Sequence, residues 1–151
     1  MTRNAARQPP DAARILLVED DPGDVLITRE SLASAPVACD LAVVDDGAMA
    51  LDYLHKRGEF SGAPTPHLVL LDLNLPKVSG HQVLAELKGD PKLASIPVVV
   101  LSTSSAEDDV VATYALHGNA HIAKPVDFED YQAAIRSIDE FFLSVAQVPQ
   151  P

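Results

Sequence analysis

The sequence predicts an α/β fold, a parallel five-stranded sheet covered by helices on both faces, and three observations predict it. Apolar runs too short for helices recur five times; segments of helical length and spacing lie between them; and 151 residues suit a single domain with one sizeable core. The runs are 15–18, 37–44, 68–71, 98–101 and 120–123. Val83, Leu84 and Leu87 follow Gly80 at helical spacing, and Val110, Val111, Tyr114 and Ala115 do so after an acidic first turn. After Pro125, the residues Phe128, Tyr131, Ile135, Ile138, Phe142 and Val145 step by threes and fours, an apolar stripe on one long helix. The stretch 57–66 holds two glycines and two prolines and reads as a loop before the third strand. Strands alternating with helices require right-handed βαβ crossovers, most economically in the strand order 2-1-3-4-5 of flavodoxin-like sheets. Polar, proline-containing ends at 1–13 and 147–151 are expected to be flexible tails around a domain at 14–146.

Composition narrows the function. Eleven Lys and Arg against 22 Asp and Glu give a formal charge of −11, a field that repels phosphate backbones and anionic membranes. Direct DNA binding is therefore not expected. Arg3 and Arg7 near the N-terminus precede no apolar signal segment, and no apolar run approaches the roughly 18 residues of a membrane span, so a cytoplasmic protein is expected. Cys39 is the sole cysteine, which excludes an internal disulfide and reads as a small buried hydrophobe.

Sites in open parallel sheets form beyond the carboxyl ends of the strands, where strand order reverses. The predicted strands end there in chemistry-bearing residues: Glu19, Asp20 and Asp21 after the first, Asp72 at the third, Ser102 and Thr103 at the fourth, Lys124 at the fifth. Clustered carboxylates repel one another unless a cation neutralises them. Hard oxygen ligands in small number, without His or Cys, favour Mg²⁺. Asn74, two residues past Asp72, offers a backbone carbonyl. A lysine supplies a point charge for phosphate and a serine hydroxyl a hydrogen bond to a phosphoryl oxygen. A carboxylate can itself accept a phosphoryl group, and Asp72, closing a central apolar strand, is the candidate nucleophile.

These residues resemble the receiver domains of bacterial two-component response regulators. The resemblance spans Arg14 to about Leu143 and rests on ILLVEDD at the first strand, LLDLNLPKVSG at the third, VVVLSTSS at the fourth and HIAKP at the fifth. It implies a flavodoxin-like (βα)5 receiver fold with Asp72 as phosphoacceptor for a sensor histidine kinase. Asp20, Asp72 and the Asn74 carbonyl are then direct Mg²⁺ ligands, and Glu19 acts mainly through metal-bound water. Ser102 is the hydroxyl that moves toward the phosphoryl group, Lys124 the family's lysine, and His121 takes the switch position, where the family more often has Tyr or Phe. Within the family, DPGDVLITRESL, LLDLNLPKVSGHQVLAELK and YALHGNAHIAKPVDFEDY look most like single-domain receivers that partner phytochrome-type kinases. That likeness implies a homodimer through the C-terminal helices, and no output domain is expected to follow.

Plainer readings stand beside these. Glu19 to Asp21 suits a helix N-terminus, where acids are favoured. Ser104 with Glu107 makes a capping-box pattern, which leaves Ser104 and Ser105 structural. His117 and His121 are spaced as a helical metal pair, but Gly118 and Asn119 interrupt any helix between them. The stripe after Phe128 fits a core face as well as an interface. Two rival functions remain: a phosphorylation-independent docking adaptor, which the intact acids and Lys124 disfavour, and an aspartyl-phosphate hydrolase, which needs a second acid where Asn74 stands.

Overall fold

The computed structural model describes residues 12–35, 37–103 and 106–145. Along the chain run β1 (Ala13–Val18), α1 (Pro22–Ala33), β2 (Cys39–Val44), α2 (Gly47–His55), β3 (Leu68–Asp72), α3 (Gly80–Gly89), β4 (Val98–Ser102), α4 (Glu107–Ala115), β5 (Ala120–Ala123) and α5 (Phe128–Glu140). All neighbouring strands are parallel, in the order β2-β1-β3-β4-β5. This is the expected doubly wound arrangement. Among the described residues no helix is long and apolar enough to cross a membrane.

The period-two alternation of a strand divides the core. Leu16, Val18, Val69, Leu71, Val98 and Val100 face α2 and α3, meeting Leu51, Leu54, Val83, Leu84 and Leu87. Ile15, Leu17, Leu68, Leu70, Val99 and Leu101 face the other way, onto Leu32 of α1 and Tyr131, Ile135 and Ile138 of α5. With both faces covered, β3 and β4 are buried along their whole length, and each such side chain stabilises the fold by roughly 1.5–3 kcal/mol. That burial makes the central strands a rigid mount for whatever stands at their ends.

Several boundaries differ from expectation for identifiable reasons. β1 begins at Ala13, and Ala12 and Ala13 are both buried, so the ordered fold takes in the last two residues of the stretch read as a tail. The rest of that stretch, and 147–151, lie outside the described residues. β2 starts at Cys39 instead of Val37, because the Val37 amide donates to the Asp139 carboxylate at 3.4 Å and the ladder with β1 opens at Ala13 and Cys39. The stretch 57–66 contains a short 3₁₀ turn at Gly58–Phe60, whose Phe60 ring packs on Tyr53 at a 5.4 Å centroid distance.

The C-terminal stripe is mainly core. Tyr131, Ile135 and Ile138 are buried, whereas Phe128 is exposed. Beyond Glu140 the backbone widens into a π turn at Phe141–Val145. A π turn advances the buried face by five residues instead of four, so Leu143 follows Ile138 into the core and Phe142 is displaced to its margin. The side chain of Val145 lies outside the described residues.

Asp139 of α5 is fully buried, accepting from the Val37 amide and from the Cys39 thiol at 3.6 Å. Burial pushes its carboxyl above the usual range, and these two donors only partly oppose the shift. The folded chain thus holds this proton more tightly than the unfolded chain, and stability is lost as pH rises from the ordinary carboxylate range through the raised value. Asp139→Asn is expected to raise the unfolding free energy at pH 8 by on the order of 1 kcal/mol. The gain should vanish as pH is lowered toward 4, as thermal melts across that range will show.

Candidate functional site

Strand register brings the predicted residues to one place. Val18 pairs with Leu71, so Glu19 and Asp72, each the next residue along, leave adjacent strands side by side. Asp72 pairs with Leu101, which puts Ser102 one step beyond it; Ser102 pairs with Ala123, and the Lys124 amide donates to the Ser102 carbonyl at 2.7 Å. Four consecutive strand ends in space, β1, β3, β4 and β5, thereby feed one edge of the sheet.

There, Glu19, Asp20 and Asp72 each offer a carboxylate oxygen within 4.8 Å of the others, the only such group of potential metal ligands among the described residues. Glu19 and Asp72 are buried and Asp20 is exposed, so the cluster has a dry floor and an open mouth. Lys124 reaches over it. Its ammonium donates to Glu19 Oε1 at 2.6 Å, Asp24 Oδ2 at 2.8 Å and Asp72 Oδ2 at 3.3 Å, with the lysine side chain only 5% exposed.

Burial pushes the Glu19 carboxyl well above the usual range; the Lys124 hydrogen bond pulls it back, and the neighbouring Asp72 raises it again. For Lys124 the balance is reversed. Burial disfavours its charge, but the hydrogen bonds to Asp24 and Glu19 and the charges of Glu19 and Asp72 hold the ammonium protonated, well above the ordinary lysine range. One ammonium facing four acids leaves negative charge uncompensated, and the all-oxygen donor set suits a hard divalent cation.

A family model described as the response regulator receiver domain matches residues 15–136. The chain belongs to the response-regulator receiver family. Its relatives include the response regulator Rcp1 of Synechocystis, 43% identical over 135 residues that cover 89% of this chain and 92% of Rcp1. Among solved structures, the phosphorylated cyanobacterial phytochrome response regulator RcpA superposes with a TM-score of 0.90 at 45% identity, covering 92% of this chain and 99% of RcpA. The Mn²⁺-bound form of Rcp1 superposes with a TM-score of 0.88 at 42% identity, covering 91% of this chain and 99% of that one.

The other residues expected of a receiver fall as follows. Asn74 is exposed beside the cluster, its amide donating to Asp72 Oδ1 at 3.1 Å and its side chain touching Thr103 Oγ1 at 3.5 Å. Ser102 is wholly buried at the end of β4. His121, half-buried on β5, lies with Nδ1 2.8 Å from the Thr113 hydroxyl of α4. The same hydroxyl lies 2.9 Å from the Asp109 carbonyl one turn earlier in α4, to which it can donate. The His121 amide also donates to the Tyr114 hydroxyl at 3.3 Å, so β5 is tied to α4 through this residue. His117 is exposed and left-handed at φ 69°, in the turn that separates it from His121.

One role is left open by the sequence and another is invisible in it. Asp21 is a helix cap, its Oδ1 accepting from the Gly23 and Asp24 amides at 2.8 and 3.4 Å, so the plainer reading of the acidic run holds for this one member. Asp24, whose place in the first turn of α1 is sufficiently explained by the helix dipole, turns instead to Lys124 across 100 residues of chain. Nothing in its spacing distinguishes it from an ordinary first-turn acid. The Ser104 capping box lies outside the described residues, while Glu107, its partner, is the first residue of α4.

Gly80 opens α3 directly beneath the nucleophile candidate. A Cβ there would lie 2.4 Å from the Asp72 carbonyl oxygen and 2.5 Å from Leu73 Cα, contacts with backbone that a rotamer change cannot relieve. Gly80→Ala is expected to cost about 1–3 kcal/mol in urea denaturation through overpacking. It should also lower divalent-ion affinity by shifting Asp72, measurable by the Mn²⁺ electron-paramagnetic signal.

Proposed function

We propose that this receiver domain, running over 14–146, accepts a phosphoryl group on Asp72 from the phosphohistidine of a sensor histidine kinase in the cytoplasm and signals by changing its packing. The observation that carries this reading is Asp72 itself: buried at a rigid central strand end, with acids for a divalent ion on one side and the Lys124 ammonium at 3.3 Å on the other. An Asp72 carboxylate oxygen attacks phosphorus, the P–N bond to the histidine breaks, and the imidazole leaves with the electron pair. Glu19, Asp20, Asp72 and the Asn74 carbonyl would hold Mg²⁺, which would supply charge neutralisation for the transferring group. Lys124 offers a donor to a phosphoryl oxygen, and the Ser102 hydroxyl turns toward it. His121, through Thr113, passes that movement to α4. Positioning and charge suffice for such a transfer, and with Asn74 where a hydrolase needs a second acid the protein is a phosphoacceptor, not a turnover enzyme.

The kinase is of the phytochrome type in this reading, supported by the likeness to RcpA, a cyanobacterial phytochrome response regulator, and by a match that covers nearly the whole of RcpA and of Rcp1. The long match to a phosphorylated relative and a Mn²⁺-bound one favours phosphorylation over the adaptor alternative. A homodimer through the C-terminal helices belongs to the same proposal. The α5 stripe is spent on the core, but Phe128 and Phe141, 49% and 53% exposed at the two ends of α5, remain for a second copy.

Incubation with Mg²⁺ and acetyl phosphate should add one phosphoryl mass that is labile to base, and Asp72→Asn should abolish it; an unlabelled wild-type protein refutes the reading. Phe141→Glu is expected to shift the molecular mass in light scattering from dimer to monomer without loss of labelling. A monomeric wild-type protein, phosphorylated or not, removes the dimer.

A further inference from the structure

We propose that Asp24 is a positioning residue for phosphoryl transfer, holding the Lys124 ammonium so that one of its three N–H donors stays aimed at Asp72. This rests on the phosphoacceptor reading above. An ammonium has three donors in fixed tetrahedral relation, and here each meets a carboxylate from a different element: Glu19 after β1 at 2.6 Å, Asp24 on α1 at 2.8 Å, Asp72 on β3 at 3.3 Å. The two short contacts anchor the nitrogen. The long one is left toward the reacting group, and the third donor falls on a phosphoryl oxygen one bond farther out without the side chain having to find a new rotamer.

Glu19 alone does not fix this geometry, because an ammonium held by one short contact still rotates about it. Asp24 supplies the second point, and it is itself held in place. It lies in the first turn of α1, where its own amide is capped by Asp21, and α1 is packed on α5, the helix that follows Lys124. Without the Asp24 acceptor, that donor is left to the Glu19 and Asp72 carboxylates, and an ammonium drawn onto Asp72 screens the nucleophile and competes with the divalent ion for its oxygens. Among the described residues Asp24 bonds Lys124 and makes no hydrogen bond to Asp72. Its effect passes through Lys124.

The test is a double-mutant cycle on labelling by acetyl phosphate with saturating Mg²⁺, in the full-length protein. Asp24→Asn is expected to slow labelling about tenfold, with most of the loss in the maximal rate, while Asp24→Glu recovers part of it and thermal melts in Mg²⁺ stay within a few degrees of wild type. In a Lys124→Met background, already slow, Asp24→Asn should change the rate by less than about twofold. Equal rates for Asp24→Asn and wild type overturn the proposal, as do additive losses in the two backgrounds, which assign Asp24 an effect independent of Lys124. A loss of labelling that tracks a collapse of the melting temperature also overturns it, in favour of a purely structural tie between α1 and β5. A wild-type protein that takes no label at all, with a normal melt, counts against the phosphoacceptor reading instead, so the two failures are separable.

Discussion

Burying like charges together is the constraint from which the site follows. Glu19 and Asp72 leave adjacent strands in a region closed to water, and two carboxylates there cannot both stay ionised without a cation. The fold supplies one such cation, Lys124, from the far side of the sheet, and locks it with three carboxylates. Removing one member of a buried charge pair costs on the order of 3–5 kcal/mol, so Lys124 is as much a structural requirement of this edge as a chemical one. Yet one ammonium does not balance four acids. The remaining negative charge, opening to solvent at Asp20, makes a divalent ion a natural occupant and an incoming phosphoryl group tolerable only beside such an ion.

Packing distributes rigidity unevenly around that edge. β3 and β4 are buried throughout, and α3 starts against the backbone of Asp72 with no room for a side chain at Gly80. By contrast α4 buries only Thr113 and exposes Val111 and Tyr114. Its C-terminal end is tied to β4 and α3. Asn119, just beyond it, accepts from the Val98 amide at 2.8 Å and from Lys88 Nζ at 3.1 Å, and Lys88 also donates to the carbonyls of Ala94 and Ile96. An element pinned at its base and thinly packed elsewhere is the kind that changes position at low free-energy cost. The Thr113 to His121 hydrogen bond links that element to β5, two residue pairs below Ser102 and Ala123 in the ladder.

The sequence alone determined the strands, their order and the identity of the residues at their carboxyl ends. Those signals are local: short apolar runs ended by Asp72, Ser102 and Lys124 are legible because a buried parallel strand admits no polar residue until it reaches the edge. Handedness then allows few ways to order five strands, and the order 2-1-3-4-5 carries Glu19, Asp20, Asp72 and Lys124 to one edge. What tertiary structure decided was which side chain answers which. Asp21 and Asp24 are both first-turn acids by sequence, but one caps its own helix and the other bonds a lysine 100 residues away, a choice set by where α1 lies against α5, the helix that follows Lys124. Likewise the buried face of α5 slips from Phe142 to Leu143 because a π turn intervenes, and a stripe read at fixed spacing has no means of registering a change of period. Contacts between distant segments depend on packing distances of a few tenths of an ångström, and those are properties of the assembled core.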